Sequence, residues 1–356
     1  MEIVLNQADH VLEQRHFPVR EGTQVAAARR GGNAMSAALG FDETQSGRLA
    51  LIITEVATNI LKHAQEGQIF LRGLNEDGMT GVEVLAIDNG PGMGNFSASQ
   101  ADGVSTAGTA GTGLGAMRRL ACDFDVFTAI GKGTAFYMTV WRDEAFRPRA
   151  ALQLGVVALP LPGEDVCGDD WAVHMDGQQM TLMVADGLGH GPEAHLASSA
   201  ATALLPHYPA YGPVRMLDAA HAALRSTRGA AIAVATVSLA TGQLQFAGAG
   251  NIAATLYPPD GPRRQLMSHN GIVGHNMRTM QALTMPWQEE SFLIMHSDGL
   301  ATQWDLSHYP GLVYAHPALI AAVLYRDFFR KRDDVTVLVV RQLRQSPARR
   351  PIEGAA

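Results

Sequence analysis

Cysteine is nearly missing from this chain. Only Cys122 and Cys167 occur in 356 residues. So few thiols exclude a disulfide framework and a cysteine-rich zinc site. Charge is sparse, at 17% of residues, and no basic excess exists in either half. Residues 1–150 carry 13 basic and 17 acidic side chains and the remainder 14 and 17, within a net charge of −7. A nucleic-acid or anionic-membrane partner would need a basic surface, so neither is expected. No apolar run reaches about 18 residues, the length a membrane-spanning helix requires. The opening MEIVLNQADHVLEQRHF has no basic segment leading into an apolar one. It does not read as a secretory signal, and a cytoplasmic protein is expected. The 13 histidines include no pair three or four residues apart and no H-E-x-x-H. There is no G-x-x-x-x-G-K-[ST] and no G-x-S-x-G, so a Walker site and a serine-hydrolase elbow are also excluded. No repeat with a period of 20–50 residues is visible.

What is present is apolar material, 47% of the chain, enough for folded cores. The length suggests two domains of about 100–200 residues each. Residues 23–39 and 44–65 have helical character. The second places Leu49, Ile52, Ile53, Val56, Ile60 and Leu61 on one face, with Thr44 as its expected cap. Strand-like runs follow at 68–74 and 81–88, then a long stretch at 89–115 rich in Gly, Ser, Ala and Thr. Loops of that length in a compact domain are usually functional or mobile. A short helix at 114–121 and strands near 124–129 and 134–141 complete an α/β sandwich with helices on one face of a mainly antiparallel sheet. The charged, proline-bearing segment 142–150 marks the boundary. Beyond it strands are expected at 152–159, 171–176, 180–185, 231–239, 243–248, 252–257, 291–296 and 335–341. Helices are expected at 191–205, 213–227 and 316–330. The fold class is therefore α/β in two domains, residues 1–146 and 147–344, with a frayed polar tail at 345–356.

Three features of the first domain point to a nucleotide. Glu55 and Asn59 lie four apart and so share a helix face. An amide oxygen there can ligate Mg²⁺, and a neighbouring carboxylate can orient or deprotonate a hydroxyl. Asp88-Asn89-Gly90-Pro91-Gly92 ends a strand. Its Asp can accept from the exocyclic amine of a base, while its glycines let backbone pass close to a ligand. Gly111-Thr112-Gly113-Leu114-Gly115 opens a helix whose free N–H groups suit a phosphate chain. Thr134, in the turn Gly131-Lys132-Gly133-Thr134, is read as a further contact. The Gly-rich turn does not follow the first strand of a βαβ unit, so this is not a Rossmann site.

On these residues, 20–141 resembles the GHKL ATPases, and within them the small serine kinases that serve bacterial stress signalling as anti-sigma or switch factors. The stretch DGVSTAGTAGTGLGAMRRLACDFDVFTAIGKGT is most similar to the stressosome switch kinase. The resemblance implies a Bergerat-type α/β sandwich that binds ATP. It implies Glu55 as catalytic base, Asn59 as Mg²⁺ ligand and Asp88 as adenine contact, with Gly90, Gly92, Gly111, Gly113 and Gly115 in the nucleotide loop. It also implies STAS-domain partners, anti-anti-sigma or stressosome proteins, phosphorylated on Ser or Thr. The alternative is a module that binds ATP to sense it or to dock a partner, without transferring phosphate.

The second domain sets aspartates beside apolar strands: Gly168-Asp169-Asp170, Asp186-Gly187, Ser297-Asp298-Gly299 and Asp333-Asp334. Carboxylates gathered at one sheet edge repel unless cations neutralise them. Oxygen-only donors favour Mg²⁺ or Mn²⁺, and a metal pair about 3.5–4 Å apart can activate water for attack on phosphorus. Gly187, lacking a side chain, would let its carbonyl approach a metal. His190 is equally consistent with a structural or a catalytic role. The motifs CGDDW, VADGLGHGPEA, FAGAGN, MHSDGL and RDDVTVLVV make residues 152–341 similar to the SpoIIE-type metal-dependent (PPM) serine/threonine phosphatases. That resemblance implies an α-β-β-α sandwich. It implies Asp169, Asp186, Asp298 and Asp333 as side-chain ligands and Gly187 through its backbone, with Asp334 the alternative to Asp333 and Asp170 a neighbour. Two departures stand out. Cys167-Gly168 replaces the usual double glycine, and the segment between Asp298 and Asp333 is short.

Overall fold

The computed structural model describes residues 2–6, 14–76, 78–94, 113–146 and 152–344. The first half contains β1 (Glu2–Asn6), β2 (Arg15–Val19), α1 (Gly22–Ala38), α2 (Glu43–His63), β3 (Gly67–Glu76), β4 (Met79–Asp88), α3 (Gly113–Leu120), β5 (Asp123–Thr128) and β6 (Thr134–Trp141). The second half opens with β7 (Leu152–Leu159), β8 (Asp169–Asp176), β9 (Gln179–Gly187), α4 (Pro192–Thr202) and α5 (Pro213–Ala223). It continues with β10 (Ala230–Ser238), β11 (Gln243–Ala249), β12 (Ala253–Tyr257), β13 (Arg264–Leu266), β14 (Leu283–Pro286), β15 (Phe292–His296), α6 (Pro317–Phe328) and β16 (Val335–Gln342).

Three sheets result, with every strand pair antiparallel. The first has the order β2-β3-β4-β6-β5, the second β13-β12-β15-β16-β7 and the third β1-β8-β9-β10-β11-β14. The period of two in strand side chains sorts the residues of β4 and β6 onto two faces. Val82, Val84, Ala86, Phe136, Met138 and Val140 join the core beneath α1 and α2. Leu85, Ile87, Ala135 and Tyr137 point the other way. Burial on both faces explains why these strands are almost continuously apolar.

The second face is not open. It is covered by α6, from the other half of the chain, whose residues Pro317 to Tyr325 are all buried. A helix apolar all round belongs in a core, and α6 lies between the first sheet and Val335, Val337 and Val339 of the second. The second and third sheets pack face to face through Val156, Leu338, Val184, Phe246 and their neighbours. Helices α4 and α5 cover the outer face of the third sheet.

Several details differ from the reading of the sequence, among them the strands β2, β13 and β14, which it did not expect, and two bear on how the halves are built. Asp42, not Thr44, caps α2: its carboxylate accepts from Gln45 N at 2.7 Å. Helix α2 begins at Glu43, so Thr44 already lies inside the first turn, past the position from which a side chain caps. The other concerns the earliest residues. β1 pairs with β8 at the edge of the third sheet, and the Gln14 side chain bonds Val156 O and Ala158 N. Thus the start of the chain is bound to the second half rather than to the first sheet. The expected tail at 345–356 and much of the long Gly-rich stretch lie outside the described residues.

Candidate functional sites

The nucleotide candidates gather along α2. Glu55 and Asn59 stand one turn apart on it, and Gly113 opens α3 directly above them. A Cβ at Gly113 would lie 2.9 Å from Glu55 Oε2 and 3.7 Å from Asn59 Oδ1, so the start of α3 lies directly against both side chains. The N-terminus of α3 therefore faces both side chains. Gly115 is buried two residues further on. Gly111 lies outside the described residues.

Asp88 forms the other end of this region. Its Oδ1 accepts from Gly90 N at 2.8 Å and from Thr134 N at 3.1 Å. The loop after β4 is thereby tied to the β5–β6 turn. Met93 N donates to Thr128 Oγ1 and Gly131 N to Pro91 O, both at 2.8 Å, completing the clasp. Gly92 and Gly133 have φ of +69° and +68°, and a Cβ on either would lie 2.0 Å from a carbonyl oxygen, Ala129 O and Asp88 O respectively. Both the left-handed conformation and the close approach require glycine. Burial raises the Asp88 carboxyl above its ordinary range, with the Gly90 and Thr134 amides opposing the rise. Gly90 packs against Ala64, just past α2. At 1.5 Å per residue, the Asp88 end lies about 7–14 Å along α2 from Asn59 and Glu55.

The acidic candidates converge at one edge of the second half. Asp169 and Asp186 are direct cross-strand partners in β8 and β9. Like charges so placed destabilise a sheet. Asp298 lies just past β15, and Asp333 just before β16. These two strands are neighbours, held at that end by Ser297 N to Thr336 O and Thr336 N to Ser297 Oγ, both 3.0 Å. Burial lifts the Asp186 carboxyl well above the usual carboxylate range, and the charges of Asp169, Asp298, Asp333 and Asp334 lift it further. Asp169 is raised by burial too, with the Ser297 hydroxyl opposing and Asp334 adding.

The chemistry of this donor set fits a hard cation. Asp169 Oδ2 and Asp334 Oδ2 are buried without a hydrogen-bond partner. Among the described residues, however, no group of three or more acidic, histidine or cysteine side chains is arranged to hold a metal as it stands. Asp334 also serves the framework: its Oδ1 accepts from Leu161 N at 2.8 Å. Asp333 is the more exposed of the two. Asp170 faces the opposite side of β8 from Asp169, bonding Thr202 Oγ1 and Trp171 N. Gly187 meets a packing demand of its own, since a Cβ there would lie 2.0 Å from Ala194 O in α4.

Some residues at this edge escaped sequence reasoning. Asn251 Nδ2 donates to Asp298 Oδ2 at 2.6 Å; its place at the end of β11, in FAGAGN, was the available signal. His190 Nδ1 lies 2.7 Å from Glu164 Oε1, which had no motif to mark it. Cys122 and Cys167 are both free thiols.

Comparison with known proteins matches both halves. Residues 17–140 match the histidine kinase-like ATPase domain family, and residues 176–343 match the stage II sporulation protein E (SpoIIE) family. The chain is 33% identical over 117 residues to the serine/threonine-protein kinase RsbT of Bacillus subtilis, covering 33% of this chain and 88% of RsbT. It is 26% identical over 149 residues to the phosphoserine phosphatase RsbX of the same organism, covering 42% of this chain and 75% of RsbX. A solved structure from work on the bacterial stressosome, a modular system adapted to control secondary messenger signalling, shares 30% identity at a TM-score of 0.50. It covers 53% of this chain and 99% of its own. The chain thus belongs to the RsbT-like group of GHKL-type ATPases, and it joins to that domain a SpoIIE phosphatase domain of PP2C type homologous to RsbX.

Proposed function

We propose that this signalling protein dephosphorylates phosphoserine or phosphothreonine on a STAS-domain partner with the help of Mg²⁺ or Mn²⁺, and that its first domain binds Mg-ATP and phosphorylates such a partner. The observation that carries the phosphatase reading is the Asp169–Asp186 cross-strand pair, Asp169 buried and Asp186 half-buried, facing Asp298 and Asp333 from the adjoining sheet. Asp169, Asp186, Asp298 and Asp333, with the Gly187 carbonyl, would hold the cations. When bound, such ions supply a water of lowered pKa and stabilise charge on the phosphoryl oxygens. Asn251 keeps the Asp298 carboxylate oriented from outside that set. The RsbX relationship supports phosphoserine as the substrate group, and the RsbT relationship supports a serine or threonine acceptor.

In the first domain Glu55 would orient the acceptor hydroxyl and take its proton. Asn59 would hold the nucleotide's Mg²⁺, and Asp88 with Thr134 would contact the base. Gly90, Gly92, Gly111, Gly113 and Gly115 would line the nucleotide. The domains are proposed to divide near residue 146, apart from the β1 strand bound to the second unit. A second reading, in which ATP is sensed and not spent, is favoured by the packing of α6 across the first sheet, which links the two units. Incubating the Glu55→Ala protein with labelled ATP and an unphosphorylated STAS partner separates the readings. Loss of transfer with nucleotide binding retained supports the kinase, whereas no transfer even by the unaltered chain supports the sensor.

A further inference from the structure

Arg326 lies near the end of α6, a helix of the phosphatase half, yet it reaches into the nucleotide half. Its side chain is 1% exposed. Nη1 donates to the Asp88 main-chain carbonyl at 3.1 Å. The same nitrogen would lie 3.0 Å from a Cβ on Gly133, so it packs against the β5–β6 turn as well. Nε and Nη2 grip Asp327 at 2.7 and 2.9 Å, and Asp327 accepts from Tyr309 OH at 2.8 Å. The Tyr309 ring in turn carries Lys132 Nζ 4.3 Å from its centroid, again from the nucleotide half. One residue before Arg326, Tyr325 OH donates to Gln68 Oε1 at 3.0 Å.

The chain leaving α6 is tied to the other site. Ala301 N donates to Phe328 O and Arg330 N to Gly299 O, both at 2.9 Å. Asp298 immediately precedes that loop, and Asp333 follows three residues after Arg330. Within five residues, therefore, one helix end holds the Asp88 strand end on one side and the Asp298 loop on the other.

We propose that Arg326 is a positioning residue of the nucleotide site, supplied by the phosphatase half, and that through it nucleotide occupancy is coupled to the order of the Asp298–Ala301 loop. The inference rests on the nucleotide reading of Asp88 given above. A bound base fixes the Asp88 strand end, which fixes the carbonyl that Arg326 grips, and the end of α6 holds the loop beyond it. Coupling of this kind is reciprocal and is typically about 5–150-fold in affinity.

The test uses the full chain with ADP and follows amide exchange by mass spectrometry. ADP should slow exchange in 88–93, and also in 298–302 and 326–331, by about three-fold or more. Arg326→Met should keep the response of 88–93 but lose that of the two distal segments, and Arg326→Lys should restore part of it. Tyr325→Phe, which keeps the buried ring and removes only the bond to Gln68, should weaken the distal response if Arg326→Met proves unstable. Protection at 88–93 with no change in 298–302 or 326–331 in the unaltered protein overturns the coupling. An unaltered distal response in Arg326→Met or Tyr325→Phe overturns the assigned route. No protection at 88–93 contradicts the nucleotide reading instead, so the two failures are distinct.

Discussion

Asp186→Asn should stabilise the metal-free protein while removing its response to metal. Asp186 and Asp169 face each other directly across β8 and β9. Cβ atoms in such pairs lie about 4.5–5.5 Å apart. Two charges about 5 Å apart repel by about 3 kcal/mol at an effective dielectric constant near 20. Partial protonation reduces this, because burial and the neighbouring carboxylates raise both groups. A gain of about 1–3 kcal/mol at pH 9 is therefore expected, or about 2–10 °C in melting temperature. The assay is thermal unfolding of both proteins in EDTA and over a Mg²⁺ or Mn²⁺ titration. The unaltered chain should melt higher as metal is added, by mass action on the folded state, and the Asn protein should not. Equal metal shifts in both proteins, or a large loss of stability by the Asn variant in EDTA, would refute the reasoning.

Three further outcomes follow from the structure. Asn59→Ala should weaken Mg-ATP binding about ten-fold or more while leaving metal-free nucleotide binding nearly unchanged, as calorimetry with and without Mg²⁺ would show. Gly133→Ala puts a Cβ against Asp88 O at a φ of +68°; it should cost at least about 2–3 kcal/mol in denaturant unfolding and weaken nucleotide binding. His316, stacked on Tyr137 at 3.7 Å, is held neutral by burial, its pKa lowered to about 3. The unfolded chain takes up that proton below an ordinary pKa of about 6.5, so this contribution is full above pH 6.5 and is lost as the pH falls toward 3. His316→Phe should flatten that part of the stability–pH curve, and an unchanged curve would show that His316 does not contribute to it.

Much of the local structure was legible because its signals are short-range. The apolar face of α2, from Leu49 to Ile60, and the strand-end aspartates are periodic or positional features that need no partner to be read. Helix ends shifted by one or two residues where capping chemistry decided, as with Asp42 and Thr44. Expected helices at 191–205 and 213–227 each end in a short 3₁₀ turn, at Leu205–His207 and Leu224–Ser226. β1 and β2 were not foreseen. Each is five residues long, and β1 finds its partner more than 160 residues away. The covering of the first sheet by α6 was hidden for a similar reason. Phe70, Leu85, Ile87 and Tyr137 read as strand core whatever packs on them, and only the fold shows that the covering helix comes from the other half. Asn251 and Arg326 were missed because their meaning lies in partners 47 and 238 positions distant.

The most direct measurement of the central claim is release of phosphate from a serine-phosphorylated STAS-domain protein by the unaltered chain and by Asp186→Ala. The account expects release that requires Mg²⁺ or Mn²⁺, stops with EDTA and falls by at least about a thousand-fold in the variant. Release that continues in EDTA, or that survives in Asp186→Ala, would contradict it.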